Sequence, residues 1–318
     1  MKFKDYDIKN ISRIELDLTN FCNLNCPGCP TPQGKDKLDW DKVLPLIKYI
    51  STKNNINDIT ICGNGGEPTL HPNITQIILD LSIIFPATKI TLATNGENLK
   101  YFNIDALKHI GQLLLMEWSI DGHNQELHQI TRVNGHLEKV LNNFKKYSIP
   151  FDNAIYTTRH QANEKYIKEI RDFILTETNI ETVFRDTTRV SKQDNLLHPT
   201  KHSINGNVKI LNPIKKFNFS FEQLRIIYSI NPEFNFYFNP DGRLYPCAAF
   251  YYNTIPIPEL NIYSLTPEEA YEQFASFSNN YCNFHCCNKD ADHSRCCLEC
   301  GIDSTFKFDS YQDILNLK

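Results

Sequence analysis

Residues 13–29 read RIELDLTNFCNLNCPGC and carry the two signals that decide the expected fold. Apolar and polar side chains alternate from Arg13 to Leu18, which is the period-two pattern of a half-buried strand. Three cysteines, Cys22, Cys26 and Cys29, follow in the next loop. This stretch therefore predicts a first strand whose carboxyl end leads into a loop with three thiols.

The same strand and helix signals recur up to about residue 187. Further strands are predicted at 58–62, 89–93, 113–120, 154–158 and 181–185. Helices are predicted between them at 41–50, 74–84, 104–110, 137–147 and 164–176. Such alternation is typical of a parallel sheet with helices on its outer face. Since a complete eight-unit barrel takes about 250 residues, six units predict an α/β fold with a partial (βα)6 barrel, whose chemistry is expected at the carboxyl ends of the strands.

The eleven cysteines of the 318-residue chain are clustered: three lie in the first loop, one is Cys62, and seven lie between Cys247 and Cys300. In a reducing compartment such clusters are metal ligands more often than disulfides. Soft thiolates select zinc, copper(I) or iron–sulfur clusters, and three thiolates would leave one iron of a cubane without a protein ligand. The first loop thus predicts a metal centre with an open coordination position, with a structural zinc site or chance clustering of the cysteines as the alternative.

Three further segments follow the next three predicted strands. Residues 63–68 (GNGGEP) end the second strand, residues 94–96 (TNG) the third and residues 119–122 (SIDG) the fourth, and Arg132 comes shortly after. Alone, each segment is a turn more often than a site. Together with the CxxxCxxC loop they resemble the motifs of the radical S-adenosylmethionine (radical SAM) superfamily, over residues 11–187.

The resemblance implies a radical enzyme with defined ligands. Cys22, Cys26 and Cys29 would bind a [4Fe–4S] cluster whose open iron takes the amino and carboxylate groups of S-adenosylmethionine (SAM). The implied SAM contacts are Gly65, Gly66, Glu67, Asn95, Ser119, Asp121 and Arg132. The GGEP-like segment would hold the amino group, and Arg132 would pair with the carboxylate. An external electron donor such as flavodoxin or ferredoxin would reduce the cluster, and the resulting 5′-deoxyadenosyl radical would abstract a hydrogen atom from the substrate.

Residues 233–318 are predicted to form a small cysteine-rich α+β domain, separated by a connector at 191–232 from the radical SAM core at 1–190. After an opening hairpin, this region resembles the SPASM and twitch domains that hold auxiliary clusters in radical SAM enzymes. The resemblance implies at least one auxiliary [4Fe–4S] cluster, with ligands Cys247, Cys282, Cys297 and Cys300. A structural zinc knot that combines cysteines with His285 or His293 is the alternative, and seven thiols would also suffice for two clusters.

Charge and hydrophobicity limit the expected partners and location. The chain has 33 basic and 37 acidic side chains, and its net charge of −4 argues against broad binding to nucleic acid. No stretch approaches the roughly 20 apolar residues that a membrane span needs, and the first residues lack the apolar core of a signal peptide. We therefore expect a cytoplasmic protein without a membrane partner.

The expected reaction is oxidation, epimerisation or a related modification of a small molecule or peptide. Two alternatives stay open. One is a non-enzymatic zinc-binding or interaction protein on a degenerate barrel. The other is an RNA-modifying radical SAM enzyme, which would use a local basic patch of Lys209, Lys215 and Lys216.

Overall fold

The computed structural model of the chain describes residues 8–26, 29, 34–63, 66–160, 162–186, 235–245 and 260–286; at 10, 186 and 277–286 it describes the backbone alone. Several predicted features lie outside the described residues or side chains: the connector and both domain boundaries, Gly65, Cys247, Cys297, Cys300 and the side chain of Cys282. The chain forms two units. The first, here called the terminal unit, contains residues 1–15, 38–57 and 212–318, and the second, the sheet unit, contains 16–37 and 58–211.

Six strands follow the sequence order β6-β5-β4-β3-β2-β1 across the sheet. Their bounds are β1 Arg13–Asp17, β2 Asp58–Cys62, β3 Lys89–Thr94, β4 Leu114–Ser119, β5 Asp152–Arg159 and β6 Thr182–Asp186. The four pairs from β2 to β6 are all parallel. Their register places Ser119 beside Tyr156 and Thr158 beside Arg185. Because parallel neighbours need a crossover connection, this order requires an intervening segment after each strand.

Helices occupy most of these connections. Their bounds are α1 Trp40–Lys53, α2 Ile74–Ile84, α3 Ile104–Leu107, α4 Gln125–Thr131, α5 Leu137–Tyr147 and α6 Ile167–Thr178. The bounds of α2 and α5 coincide with the prediction, whereas the predicted start of α6 is a 3-10 turn at Glu164–Tyr166. The short helix α4 was not predicted. This mixed α/β structure with parallel strands and intervening helices confirms the predicted partial (βα)6 barrel.

Burial alternates along the strands and gives the sheet two different faces. In β4, Met116 and Trp118 are fully buried, while Glu117 and Ser119 between and after them are partly exposed. Trp118 packs edge-to-face on Phe144 of α5, with ring centroids 5.4 Å apart, so the buried face is the one that the helices cover. Fully burying an apolar side chain such as that of Met116 contributes roughly 1.5–3 kcal/mol. The opposite face, which carries Glu117 and Ser119, is called the inner face below.

The terminal unit contains α1, the hairpin β7 (Phe236–Phe238) and β8 (Leu244–Tyr245), and the helix α7 (Pro267–Cys286). The hairpin is antiparallel, as the sequence predicted. Asn54, just after α1, donates to the Ile8 and Ile11 carbonyls at 2.7 and 3.0 Å and accepts from the Tyr271 hydroxyl of α7 at 2.9 Å. These bonds tie the start of the chain and α1 to α7. Within the ranges described, none of the helices has both the length and the apolar character required to cross a bilayer.

Candidate metal centre

The three thiols of the first loop follow β1 in the chain. Cys22 and Cys26 are half-buried and Cys29 is exposed. The Cys29 N–H donates to the Cys26 carbonyl at 3.0 Å, and the Leu24 N–H donates to Cys22 Sγ at 3.4 Å. Neither Cys22, Cys26 nor Cys29 is in a disulfide. The loop therefore presents three thiols that are not consumed in disulfides, as metal ligation requires.

The electrostatic environment couples these thiols to one another. The pKa of Cys22 is raised to about 12, chiefly by burial. The Leu24 N–H opposes this increase, and the neighbouring Glu67, Cys26 and Cys29 contribute to it. Burial also raises the pKa of Cys26, although the Arg132 guanidinium beside it acts in the opposite direction. Mutual repulsion between thiolates is what a cationic centre would relieve.

Both ends of the loop are fixed by hydrogen bonds. Thr19 accepts from the Phe21 N–H at 3.1 Å through its hydroxyl and donates to the Asp36 carbonyl at 2.7 Å. Asn20 exchanges two bonds of 2.7 Å with Asp36, one with the backbone N–H and one with the carboxylate. Asn25 donates from its backbone to the Val133 carbonyl at 3.1 Å. The two ends of the cysteine loop are thus bonded to each other, and its middle is bonded to Val133.

The GGEP-like segment lies directly against this loop. A Cβ at Gly66 would stand 1.8 Å from the Thr19 carbonyl oxygen, and one at Gly63 would stand 1.7 Å from the Gly66 carbonyl oxygen. The Glu67 N–H donates to the Phe21 carbonyl at 2.9 Å. Close approach of two backbones is therefore a sufficient reason for glycine here, in addition to the approach to a ligand expected from the sequence.

The Glu67 carboxylate is buried and fully engaged with protein donors. Its Oε1 accepts from the Thr69 N–H at 3.1 Å, the Thr69 hydroxyl at 2.6 Å and the Thr94 hydroxyl at 2.7 Å. Its Oε2 accepts from the Asn95 N–H at 2.7 Å. Burial raises the pKa of Glu67, and the hydrogen bonds from Asn95, Thr69 and Thr94 only partly oppose that increase. Glu67 thus joins the loop after β2 to the carboxyl end of β3.

Asn95, at the end of β3, reaches back to the cysteine loop. Its Nδ2 lies 3.1 Å from Asn23 Oδ1 and 3.8 Å from Cys22 Sγ, and its Oδ1 accepts from the Glu97 N–H at 2.9 Å. The structure therefore brings three predicted site residues, Cys22, Glu67 and Asn95, into one connected group.

A second connected group is built on Asp121, at the end of β4. Its Oδ2 accepts from Arg132 Nε at 2.7 Å and from the Thr131 hydroxyl at 2.9 Å, and its Oδ1 accepts from the Thr158 N–H at 2.7 Å. Burial alone would raise the pKa of Asp121, but the Arg132 charge and the Thr158 N–H outweigh it and lower the pKa. Burial would likewise lower the pKa of Arg132, yet Asp121 and Cys26 hold it above its usual range. Arg132 therefore links Asp121 to the cysteine loop.

Sequence reasoning missed a polar cluster on the inner face. Arg185 of β6 lies over the ring of Tyr156, 3.3 Å from its centroid, and its Nη2 is 3.4 Å from Glu117 Oε2. Ser119 lies on the same face of β4, two residues beyond Glu117. Period-two alternation combined with the register of β4, β5 and β6 would have placed these side chains together. The register itself was not available from the sequence.

The donor set fits a cluster with one open iron, because three soft thiols share one loop and N–H or guanidinium donors face two of them. Across the parts of the chain that the structure describes, no three His, Cys, Asp or Glu side chains are already arranged to enclose a metal ion. The cysteine loop is thus half-exposed, whereas the carboxylates of Glu67 and Asp121 are buried and hydrogen-bonded to protein donors.

Comparison with known proteins gives curated relatives that match less than half of this chain. SkfB, the sporulation killing factor maturation protein of Bacillus subtilis, is 28% identical over 155 residues, which are 47% of this chain and 36% of SkfB. A GTP 3′,8-cyclase of Listeria monocytogenes is 33% identical over 139 residues, 42% of this chain and 40% of the cyclase. The chain thus spans less than half the length of these curated relatives.

Solved structures share the fold. SuiB of Streptococcus suis, bound to its precursor peptide SuiA, matches with a TM-score of 0.63 and 12% identity over 84% of this chain and 66% of SuiB. The anSMEcpe structure with bound AdoMet matches with a TM-score of 0.53 and 17% identity, over 84% of each chain. The family model for the radical SAM superfamily matches residues 16–174, which are half of the 318 residues. The chain therefore belongs to the radical SAM superfamily, whose members use a [4Fe–4S] cluster and SAM.

Proposed function

We propose that this chain is a radical SAM enzyme that oxidises, epimerises or similarly modifies a small molecule or peptide. The observation that carries the proposal is the pair of connected groups at the carboxyl edge of the sheet: Glu67 and Asn95 joined to Cys22, and Asp121 and Arg132 joined to Cys26. In a barrel that had lost its chemistry, we would not expect both hydrogen-bonded groups to remain in contact with the cysteine loop.

The cluster and SAM, when bound, supply reductive cleavage of the sulfonium and abstraction of a hydrogen atom. Cys22, Cys26 and Cys29 would ligate three irons as thiolates. Arg132 is oriented by Asp121 through its Nε, so its Nη atoms are available to Cys26 and to the cofactor carboxylate. The other proposed SAM contacts are Gly65, Gly66, Glu67, Asn95, Ser119 and Asp121.

The substrate would lie against the inner face, where Glu117, Tyr156 and Arg185 offer charge and an aromatic surface. Peptides are bound in the SuiB structure and SkfB is a maturation protein, which supports a peptide as one substrate class. Electrons would come from flavodoxin or ferredoxin. At least one auxiliary [4Fe–4S] cluster, with Cys247, Cys282, Cys297 and Cys300 as ligands, would accept an electron or bind substrate.

The first test is iron and sulfide per chain after anaerobic reconstitution, together with 5′-deoxyadenosine formed on reduction with SAM. The Cys22/Cys26/Cys29→Ala variant should lose about four irons and all 5′-deoxyadenosine. Cys62→Ala is the matched control, since Cys62 is half-buried at the end of β2 and outside the ligand loop, and it should lose neither. Stoichiometric zinc without iron in the wild type would instead support the alternative, a non-enzymatic zinc-binding protein on a degenerate barrel.

A second variant tests the auxiliary cluster separately. Cys247/Cys297/Cys300→Ala should lose a further set of about four irons while still producing 5′-deoxyadenosine without substrate. Unchanged iron with retained zinc in this variant would show a structural zinc knot.

A further inference from the structure

Hydrogen bonds to the backbone and the side-chain oxygen of Asn95 leave the nitrogen end of its side chain directed at Cys22. It is buried, with 7% of its surface exposed. Its backbone N–H donates to Glu67 Oε2 at 2.7 Å, and the preceding Thr94 hydroxyl donates to Glu67 Oε1. These bonds fix the turn around Asn95 without a contribution from Cys22.

The contacts also determine which way the amide points. Asn95 Oδ1 accepts from the Glu97 N–H at 2.9 Å, a bond that only the oxygen end of the amide makes. The Nδ2 end must then face Asn23 Oδ1 at 3.1 Å and Cys22 Sγ at 3.8 Å. A flipped amide would place an N–H against the Glu97 N–H and an oxygen against both Asn23 Oδ1 and the sulfur. The orientation that donates to sulfur is thus the one that satisfies every neighbour.

Cys22 Sγ consequently faces two N–H donors, the Leu24 backbone at 3.4 Å and the Asn95 amide at 3.8 Å. Hydrogen bonds to sulfur stabilise negative charge on a ligated thiolate. A reduced cluster carries one more electron than an oxidised one, so the same donors stabilise the reduced form more. Donors at a ligand sulfur therefore make the cluster easier to reduce.

We propose that Asn95 is a positioning residue that donates a hydrogen bond to Cys22 Sγ and thereby raises the reduction potential of the cluster held by this loop. The inference rests on the proposed function, because it requires that the three thiols bind an iron–sulfur cluster. It assigns to Asn95 a contact with a ligand sulfur, distinct from the SAM contact that the sequence resemblance implies.

The test is a redox titration of the reconstituted full-length protein in which the reduced cluster is detected by electron paramagnetic resonance. The signal absent from the Cys22/Cys26/Cys29→Ala variant identifies the relevant cluster. Asn95→Asp keeps the oxygen that accepts from Glu97 and replaces the donor with an oxygen. We expect it to bind the same iron and to lower the ratio of reduced to oxidised cluster about tenfold at a fixed potential, equivalent to a midpoint about 59 mV more negative. Asn95→Ala should shift the midpoint in the same direction by a smaller amount.

Asn143→Ala is the matched control, because its Nδ2 donates to the Gly96 and Glu97 carbonyls at 2.8 and 3.2 Å and supports the same turn. It should leave the midpoint unchanged. An unchanged midpoint in both Asn95 variants, or an equal shift in Asn143→Ala, would overturn the proposal. So would loss of iron from both Asn95 variants, since assembly rather than potential would then depend on Asn95. Absence of iron from the wild type would count against the proposed function itself.

Discussion

Two carboxylates support the site from opposite sides, and they differ in what surrounds them. Glu67 after β2 and Asp121 after β4 are 2% and 1% exposed, so burial is nearly equal. The pKa of Glu67 is raised by burial, whereas the pKa of Asp121 is lowered although burial acts on it in the same direction. Glu67 receives hydrogen bonds from neutral groups, and Asp121 has the Arg132 guanidinium at 2.7 Å in addition.

The difference shows that the Arg132 guanidinium, with the Thr158 N–H, reverses the direction in which burial shifts the pKa of a carboxyl at this edge of the sheet. Neutral donors stabilise the Glu67 carboxylate without fully offsetting the cost of removing it from water. A charge-assisted bond does so for Asp121. Asp121 therefore holds the positive charge of Arg132 beside Cys26. Glu67 instead positions Asn95, whose amide faces Cys22.

Replacing Asp121 with Asn should have the largest effect on stability. It leaves Arg132, whose side chain is 19% exposed, without its carboxylate, and breaking a buried pair from one side costs about 3–5 kcal/mol. The free energy of unfolding would be measured in urea from Trp118 fluorescence in a Trp40→Phe background, since these are the two tryptophans of the chain.

Asp152→Asn is the control for that measurement. Its ion pair with Lys89 is exposed on both sides, 38% and 45%, and should contribute less than about 1 kcal/mol. If both variants lost the same free energy of unfolding, the buried ion pair between Asp121 and Arg132 would contribute no more than an exposed one.

Replacing Glu67 with Gln should cost less, about 1–3 kcal/mol, because the amide nitrogen would face a donor in either orientation. The pH dependence separates this residue from Asp121. A raised pKa in the folded state means that the contribution of Glu67 to stability falls as pH rises from 4.5 towards the folded value. The urea midpoint of wild type relative to Glu67→Gln should therefore decrease over that range.

Asp121 should show the opposite dependence. With a folded pKa below 3.8, its contribution is present above pH 3.8 and is lost as pH falls further. If the wild-type advantage over Asp121→Asn also decreased as pH rises from 4.5, the contrast between the two carboxylates would be wrong.

Much of the fold was predictable because its signals are local. The strands alternate and α5 has a strong apolar stripe, so α5 was predicted at both ends. Helix α4 has only seven residues, and its main signal is the Asn124 cap, whose Oδ1 accepts from the Leu127 N–H at 2.8 Å. A single cap residue before so short a segment was not sufficient to predict it.

The polar connections of the site were less predictable because they join distant parts of the chain. Asn95 and Cys22 are 73 positions apart, and Asp121 and the Thr158 N–H are 37 apart. Such pairs form only where the carboxyl ends of parallel strands meet in a particular register. The sequence motifs named Asp121 and Arg132 separately, and the ion pair between them became visible only with the register.

His128 of α4 gives the smallest effect and the sharpest test of the Asp121 group. Its Nδ1 faces the Asp121 N–H at 3.4 Å. Its pKa is lowered to about 4, chiefly by burial; Arg132 and His136 add to this decrease, and Asp121 opposes it. Between pH 6.5 and 4 the unfolded chain takes up a proton at this position and the folded chain does not, so stability decreases as the pH is lowered.

From pH 7 to 5.5 this residue should account for a loss of about 1 kcal/mol. His128→Asn keeps an acceptor for the Asp121 N–H and does not titrate, so its unfolding free energy should fall by that much less than the wild type's over the same range. His109→Asn, on an exposed turn, is the control and should follow the wild type. If His128→Asn also followed the wild type, His128 would become protonated in the folded protein as readily as in the unfolded chain. The region around Asp121 would then accommodate a second cation beside Arg132, and the conclusion that burial keeps His128 neutral would be wrong.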